Sequence, residues 1–157
     1  MKSKVRGVFI ITVLHISATP IAFSVDKDSF YSSLSSKNME LINTQLGHVT
    51  SLSSPDKEAF EGTLLIKKSE LVTDKKEKLN LFKNGRTKLE SSISKNPQSC
   101  EYRFLRLIMQ ENTPEVLGYK KNIKEDCNFI KEQYNHQSER LKKQIVEYSK
   151  SSKNLEL

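Results

Sequence analysis

The sequence predicts an all-α domain of about four main helices in consecutive antiparallel hairpins, with a short helix ahead of them. Three observations carry that expectation. Apolar residues recur every three or four positions through most of the chain, the period of an α-helix rather than a strand. Glycine and proline are scarce, at 5 and 4 of 157 residues, and 29% of the chain is charged, which suits a Lys-rich helical protein better than a β-sandwich or a disordered chain. Finally, in the run from Ser99 to Asn112, Cys100, Tyr102, Phe104, Leu105, Leu107, Ile108 and Met109 cover most of a helical circumference. Only a narrow strip of Arg103, Arg106 and Gln110 is polar. A helix apolar on most sides needs neighbours on most sides, so this run is expected to be the central helix.

Residues 1–24 read as a signal peptide. Lys2, Lys4 and Arg6 make a basic start, Val8 to Ile16 an apolar run, and Ala22 and Ser24 the small residues that favour cleavage after Ser24. The apolar run falls short of the about 20 residues that span a bilayer, so no transmembrane anchor is expected after cleavage. The expected location is periplasmic or secreted. Losing Lys2, Lys4 and Arg6 lowers the net charge from +7 to +4, an ordinary surface balance rather than a nucleic-acid footprint. Residues 25–148 are left as one helical domain, and 149–157, poor in apolar groups, as a disordered tail.

Within the domain, Asp26 to Leu34 suggests a short amphipathic turn. From Ser36, Met39, Ile42, Leu46, Val49 and Leu52 form one apolar stripe on a helix ending near Ser53. Ser54-Pro55-Asp56 is a helix start, leading into Ala59, Phe60, Leu64, Leu65, Ile66 and Leu71. Asp74 with Glu77 forms a variant capping box for a third helix carrying Leu79, Phe82, Leu89 and Ile93. Gly85 costs that helix about 1 kcal/mol against Ala, and makes most sense where another helix crosses closely. Asn96-Pro97 stops it, and Ser99 caps the central helix. The chain is expected to reverse at Thr113-Pro114, with Glu115 to Tyr119 as an irregular turn. A last helix carries Ile123, Cys127, Ile130, Tyr134, Leu141, Ile145 and Tyr148, interrupted at Gln137-Ser138, with its second half packing poorly.

Two cysteines in an exported chain favour a disulfide. The midpoint of Cys100 and Cys127 falls at the expected reversal, which would bring them level in an antiparallel hairpin. The alternative is two free thiols packed as small apolar groups.

The chemistry that can be read is mostly negative. Beyond the leader only His48 and His136 remain, neither in a His-Glu-x-x-His spacing. There is no Gly-rich phosphate loop and no Gly-x-Ser-x-Gly elbow, so neither a metal nor a cofactor is expected. Glu125 and Asp126 are adjacent on a helix and are expected to point apart. The candidate site is the strip of Arg103, Arg106 and Gln110 with Tyr119, where two arginines on one helix face could grip a carboxylate or phosphate. The competing expectation pairs those arginines with Glu58, Glu61 or Glu101 inside the framework.

Gly85, Leu89, Ser92 and Pro97 resemble the small, large, small, proline pattern of the second helix of a tetratricopeptide repeat, though the preceding helix lacks the matching aromatic, Leu-Gly and Tyr positions. More broadly, Leu-Phe-Lys-Asn-Gly at 81–85, Tyr-Arg-Phe-Leu-Arg-Leu at 102–107, Gln-Glu-Asn-Thr-Pro at 110–114 and Leu-Gly-Tyr at 117–119 resemble an uncharacterised family of small exported helical proteins of the Bacteroidota. That resemblance implies location, not activity. It directs attention to Glu111 and Asn112 beside the arginine strip. The expected function is a non-enzymatic interaction or structural protein of the cell envelope holding a protein or peptide partner. The alternative is a small hydrolase or anionic-ligand-binding protein using the arginine-lined site.

Overall fold

The computed structural model describes residues 25–157, and the expected signal peptide lies outside them. The fold is all-helical: α1 (Lys27–Ser35), α2 (Met39–Ser51), α3 (Lys57–Leu71), α4 (Lys75–Lys95), α5 (Cys100–Asn112), α6 (Ile123–Gln133) and α7 (Glu139–Ser149), with 3-10 turns at Glu115–Leu117 and Tyr134–His136. Among the described residues no helix is long and apolar enough to cross a membrane.

Local chemistry sets most boundaries. The Asp74 carboxylate accepts from the Glu77 amide at 2.7 Å, and the Ser99 hydroxyl from that of Tyr102, capping α4 and α5 where the sequence places them. Two starts differ. Asn38, not Ser36, caps α2, its side-chain oxygen accepting from the amides of Glu40 and Leu41. The start of α3 slips to Lys57: Ser54 closes a turn, its hydroxyl accepting from the Asp56 amide and its carbonyl from the Lys57 amide, while the Asp56 carboxylate accepts the Tyr102 hydroxyl from α5.

The α3–α4 hairpin is the longest packed pair. Ion pairs Glu58–Lys95 and Glu61–Lys88 fix its antiparallel register. At its crossing, Gly62 and Gly85 bring the two backbones together: a Cβ on Gly85 would stand 2.5 Å from the Gly62 carbonyl oxygen and 2.8 Å from the Ile66 nitrogen. The close crossing expected at Gly85 is there, and its partner is a second glycine.

Helix α5 is the spine. Every residue from Phe104 to Gln110 is buried, including Arg106 and Gln110 of its polar strip. From one end of the chain, α1 sets Phe30 against Phe60 (ring centres 4.4 Å apart) and Tyr31 against Phe104. From the other, α7 sets Tyr148 edge-on against the same Phe104, at 5.7 Å.

Three expectations are corrected. The interruption expected at Gln137-Ser138 is there, with Ser138 capping α7, but the second half does pack, burying Leu141 and Ile145. The tail is not disordered. Leu155 is buried, and Ser152 Oγ and Asn154 Nδ2 donate to Glu111 Oε1 at 2.8 and 2.6 Å. A single anchoring leucine, with a carboxylate holding the residues just before it, suffices where apolar density is low. Finally, Cys100 and Cys127 are buried free thiols. The reversal extends through the 3-10 turn to Asn122, and the contacts Arg106–Asp126 and Gln110–Asn122 set the α5–α6 register. Cys127 then lies level with Leu105, about 7.5 Å along the axis from Cys100 at ~1.5 Å per residue. That offset alone exceeds the Cα separation of about 7 Å that a disulfide tolerates.

Candidate functional site

The arginine strip faces α6 and the second half of α4. Arg106 grips Asp126 with two parallel hydrogen bonds, Nε to Oδ2 and Nη2 to Oδ1, both 2.7 Å. Its remaining nitrogen, Nη1, donates to Glu90 Oε2 at 2.9 Å. The other oxygen of Glu90 accepts from the Tyr119 hydroxyl at 2.8 Å, and the Arg86 guanidinium stacks 4.9 Å from the centre of the Tyr119 ring. Arg103 donates through Nη1 to Glu125 (2.8 Å) and Asp126 (3.2 Å), and through Nε to the Pro97 carbonyl (3.0 Å). Its guanidinium lies 4.3 Å from the centre of the Phe129 ring.

The structure therefore does bring Arg103, Arg106 and Tyr119 together, but turned inward on acids. Asp126 has no exposed surface, and a lone carboxylate there would be costly; the bidentate arginine is what makes its burial tolerable. Burial by itself would lower the Arg106 pKa, but hydrogen bonds and charge from Asp126 and Glu90 outweigh it and hold the guanidinium above the ordinary arginine value. Burial, reinforced by Glu90, raises the Tyr119 hydroxyl well above a free tyrosine. Gln110 is wholly buried; its amide nitrogen stands 3.4 Å from the Asn122 oxygen, and its own oxygen has no partner among the described residues.

Two expectations about partners change. Glu58, Glu61 and Glu101 do not meet the strip, because lysines hold them: Lys95, Lys88 and Lys27. The partners are Glu90, Glu125 and Asp126, and the last two converge on Arg103 rather than pointing apart. Two arginines at i and i+3, followed by adjacent acids on the next helix, was the available signal. It could be read only with the correct hairpin register. The two histidines among the described residues, His48 and His136, are exposed.

The concave surfaces lie elsewhere. The roomiest is a groove of about 700 Å³ at the tip of the α3–α4 hairpin, walled on one side by Thr113 to Leu117. Its lining is mostly apolar: Ile66, Leu79, Phe82, Pro114, Val116 and Leu117. Leu79 is 41% exposed and Val116 90%, the most exposed large apolar residue among those described. A more polar cleft of about 360 Å³ lies between α1, α5 and α7, over Tyr31, Phe104 and Tyr148. Neither cavity is lined by Arg103 or Arg106. In comparisons with known proteins, no family, no curated protein and no solved structure matches the chain.

Proposed function

We propose that the protein is an exported, non-enzymatic helical interaction module of the bacterial cell envelope, holding a protein or peptide partner in the apolar groove at the α3–α4 tip. The observation that carries this reading is the contrast between the two candidate surfaces. All three guanidinium nitrogens of Arg106 are committed to internal acids, whereas Leu79 and Val116 stand exposed on an apolar groove. A contiguous exposed apolar patch marks an interaction surface or a ligand-binding groove. Export is inferred from the Lys2-Lys4-Arg6 start and the apolar run that follows, in keeping with the resemblance to small exported Bacteroidota proteins.

The test is site-specific photo-crosslinking in the native host, with the crosslinking side chain placed at Leu79, Val116 or the exposed His48. Adducts to one common partner from Leu79 and Val116, and none from His48, are expected. No adduct from the groove, or equal labelling from His48, overturns the proposal. Fractionation of the same cells, with the N-terminus of the mature chain read by mass, tests export and cleavage after Ser24.

A further inference from the structure

From the groove's charges and hydrogen bonds we infer that its occupant is an amphipathic helix whose apolar face is flanked by carboxylates. This rests on the partner reading of the groove and adds the chemistry of the partner.

The helical form follows from the hydrogen bonds along the wall. The Ser69 hydroxyl already donates to the Ile66 carbonyl, the Thr113 hydroxyl and amide to the Met109 carbonyl, and the Asn112 amide to the Ile108 carbonyl. The Leu117 amide donates to the Pro114 carbonyl, and Pro114 has no N–H to give. The described residues offer no strand edge, so an extended segment laid here would have no ladder for its backbone groups, which is costly away from water. A helix satisfies its own backbone and presents only side chains, so it loses nothing by lying in such a groove.

The acidic flank follows from the mouth. Three charged residues line the groove, Glu70, Lys75 and Lys78. Glu70 is held by Lys67 at 2.7 Å. Lys75 and Lys78 make no ion pair among the described residues. Both lysines belong to the exposed first turn and a half of α4, which leads directly to Leu79. Of the charged residues lining the groove the two lysines are therefore unpaired and the one carboxylate is already held, so the lining presents a positive balance. Carboxylates one turn from a partner's apolar anchors would meet them, whereas a basic partner would be repelled.

The test uses three synthetic 14-residue helical peptides with the same Leu/Phe stripe and polar faces built from Glu, Gln or Lys, titrated by fluorescence anisotropy into the full mature chain at low salt. The expected order is Glu, then Gln, then Lys, with about tenfold between the extremes, shrinking as salt is raised. In K75E/K78E, whose changes sit on exposed positions, the order should reverse. L79D should abolish binding of all three while circular dichroism stays unchanged. Equal binding of the three peptides, still lost in L79D, overturns the acidic inference and leaves the groove reading standing. Absence of binding, or binding indifferent to L79D, overturns both. Preference for laurate over every peptide, or an L79D-sensitive dimer by sedimentation, assigns the groove to a lipid chain or a second copy and overturns the inference.

Discussion

Arg106 and Asp126 form a pair in which neither member can be removed alone. Arg106→Ala would leave the Asp126 carboxyl fully buried with only the 3.2 Å contact from Arg103, and the expected loss is about 3–5 kcal/mol in urea unfolding. Replacing both by leucine should recover much of that loss, because the cost lies in the orphaned carboxyl rather than in the missing attraction. Glu125, at the exposed edge of the same network, is held below the ordinary glutamate pKa of 4.5, first by its hydrogen bond from Arg103 and then by that from Asn122. A carboxyl group lowered on folding stabilises fully above 4.5 and loses that contribution as pH falls through its folded value. A carboxyl-detected NMR titration should therefore find Glu125 depressed in the wild type and nearer 4.5 in Arg103→Ala. The two thiols give a further check. Burial first, then Glu101 beside Cys100 and Glu111 beside Cys127, pushes both up to about 11, so the native protein should react negligibly with a thiol reagent at pH 8 and release two equivalents in denaturant. At this scale the sequence told least. The arginines could be singled out, but whether they faced solvent or acids depended on a register that the Cys100–Cys127 midpoint placed wrongly.

Helix caps and close crossings were the legible part at the scale of the element. Asp74 and Ser99 cap where their side-chain chemistry says they should, since a cap depends on only a few neighbouring residues. The start at Ser54-Pro55-Asp56 was placed two residues early, because Ser54 closes a turn on Asp56 and Lys57 before the helix begins. Gly85 was readable as a crossing point, whereas Gly62, on the helix it meets, drew no attention, because pairing two glycines requires knowing which turns face each other. The glycines permit a controlled comparison. Gly85→Ala gains about 1 kcal/mol of helix propensity but drives a Cβ into the backbone of α3, so a net loss of about 1–3 kcal/mol is expected. Gly47→Ala meets nothing within 4 Å and should raise stability by up to about 1 kcal/mol. If both substitutions stabilise equally, the close crossing of α3 and α4 is wrong.

Across the whole molecule, both ends of the described chain converge on α5. Tyr31 and Tyr148 pack on Phe104 from α1 and α7, and Glu111 at the end of α5 accepts from Tyr148, Ser152 and Asn154. The all-helical class was legible from periodicity, and so was the central position of α5, since a helix apolar on most sides admits few other placements. The tail was not, because one buried leucine among polar residues leaves no periodic trace. Leu155→Asp should detach it, lowering the free energy of unfolding by about 2 kcal/mol and opening residues near Lys153 to limited proteolysis, with the rest of the fold retained. Unchanged protection in that variant would show that the Glu111 contacts hold the tail without its anchor.

The Gly62–Gly85 contact also bears on the order of events as the chain folds. The crossing joins positions only 23 residues apart, whereas Phe104 must await α7 and Phe60 must await α1. Loop closure favours the shorter separation, so the α3–α4 hairpin, like the α5–α6 hairpin whose Arg106–Asp126 pair spans 20 residues, should assemble before α1 and α7 dock. The groove at the α3–α4 tip has one wall in place once that hairpin forms and gains the other only when Thr113 to Leu117 settles, so binding competence should lag behind helix formation in a refolding experiment.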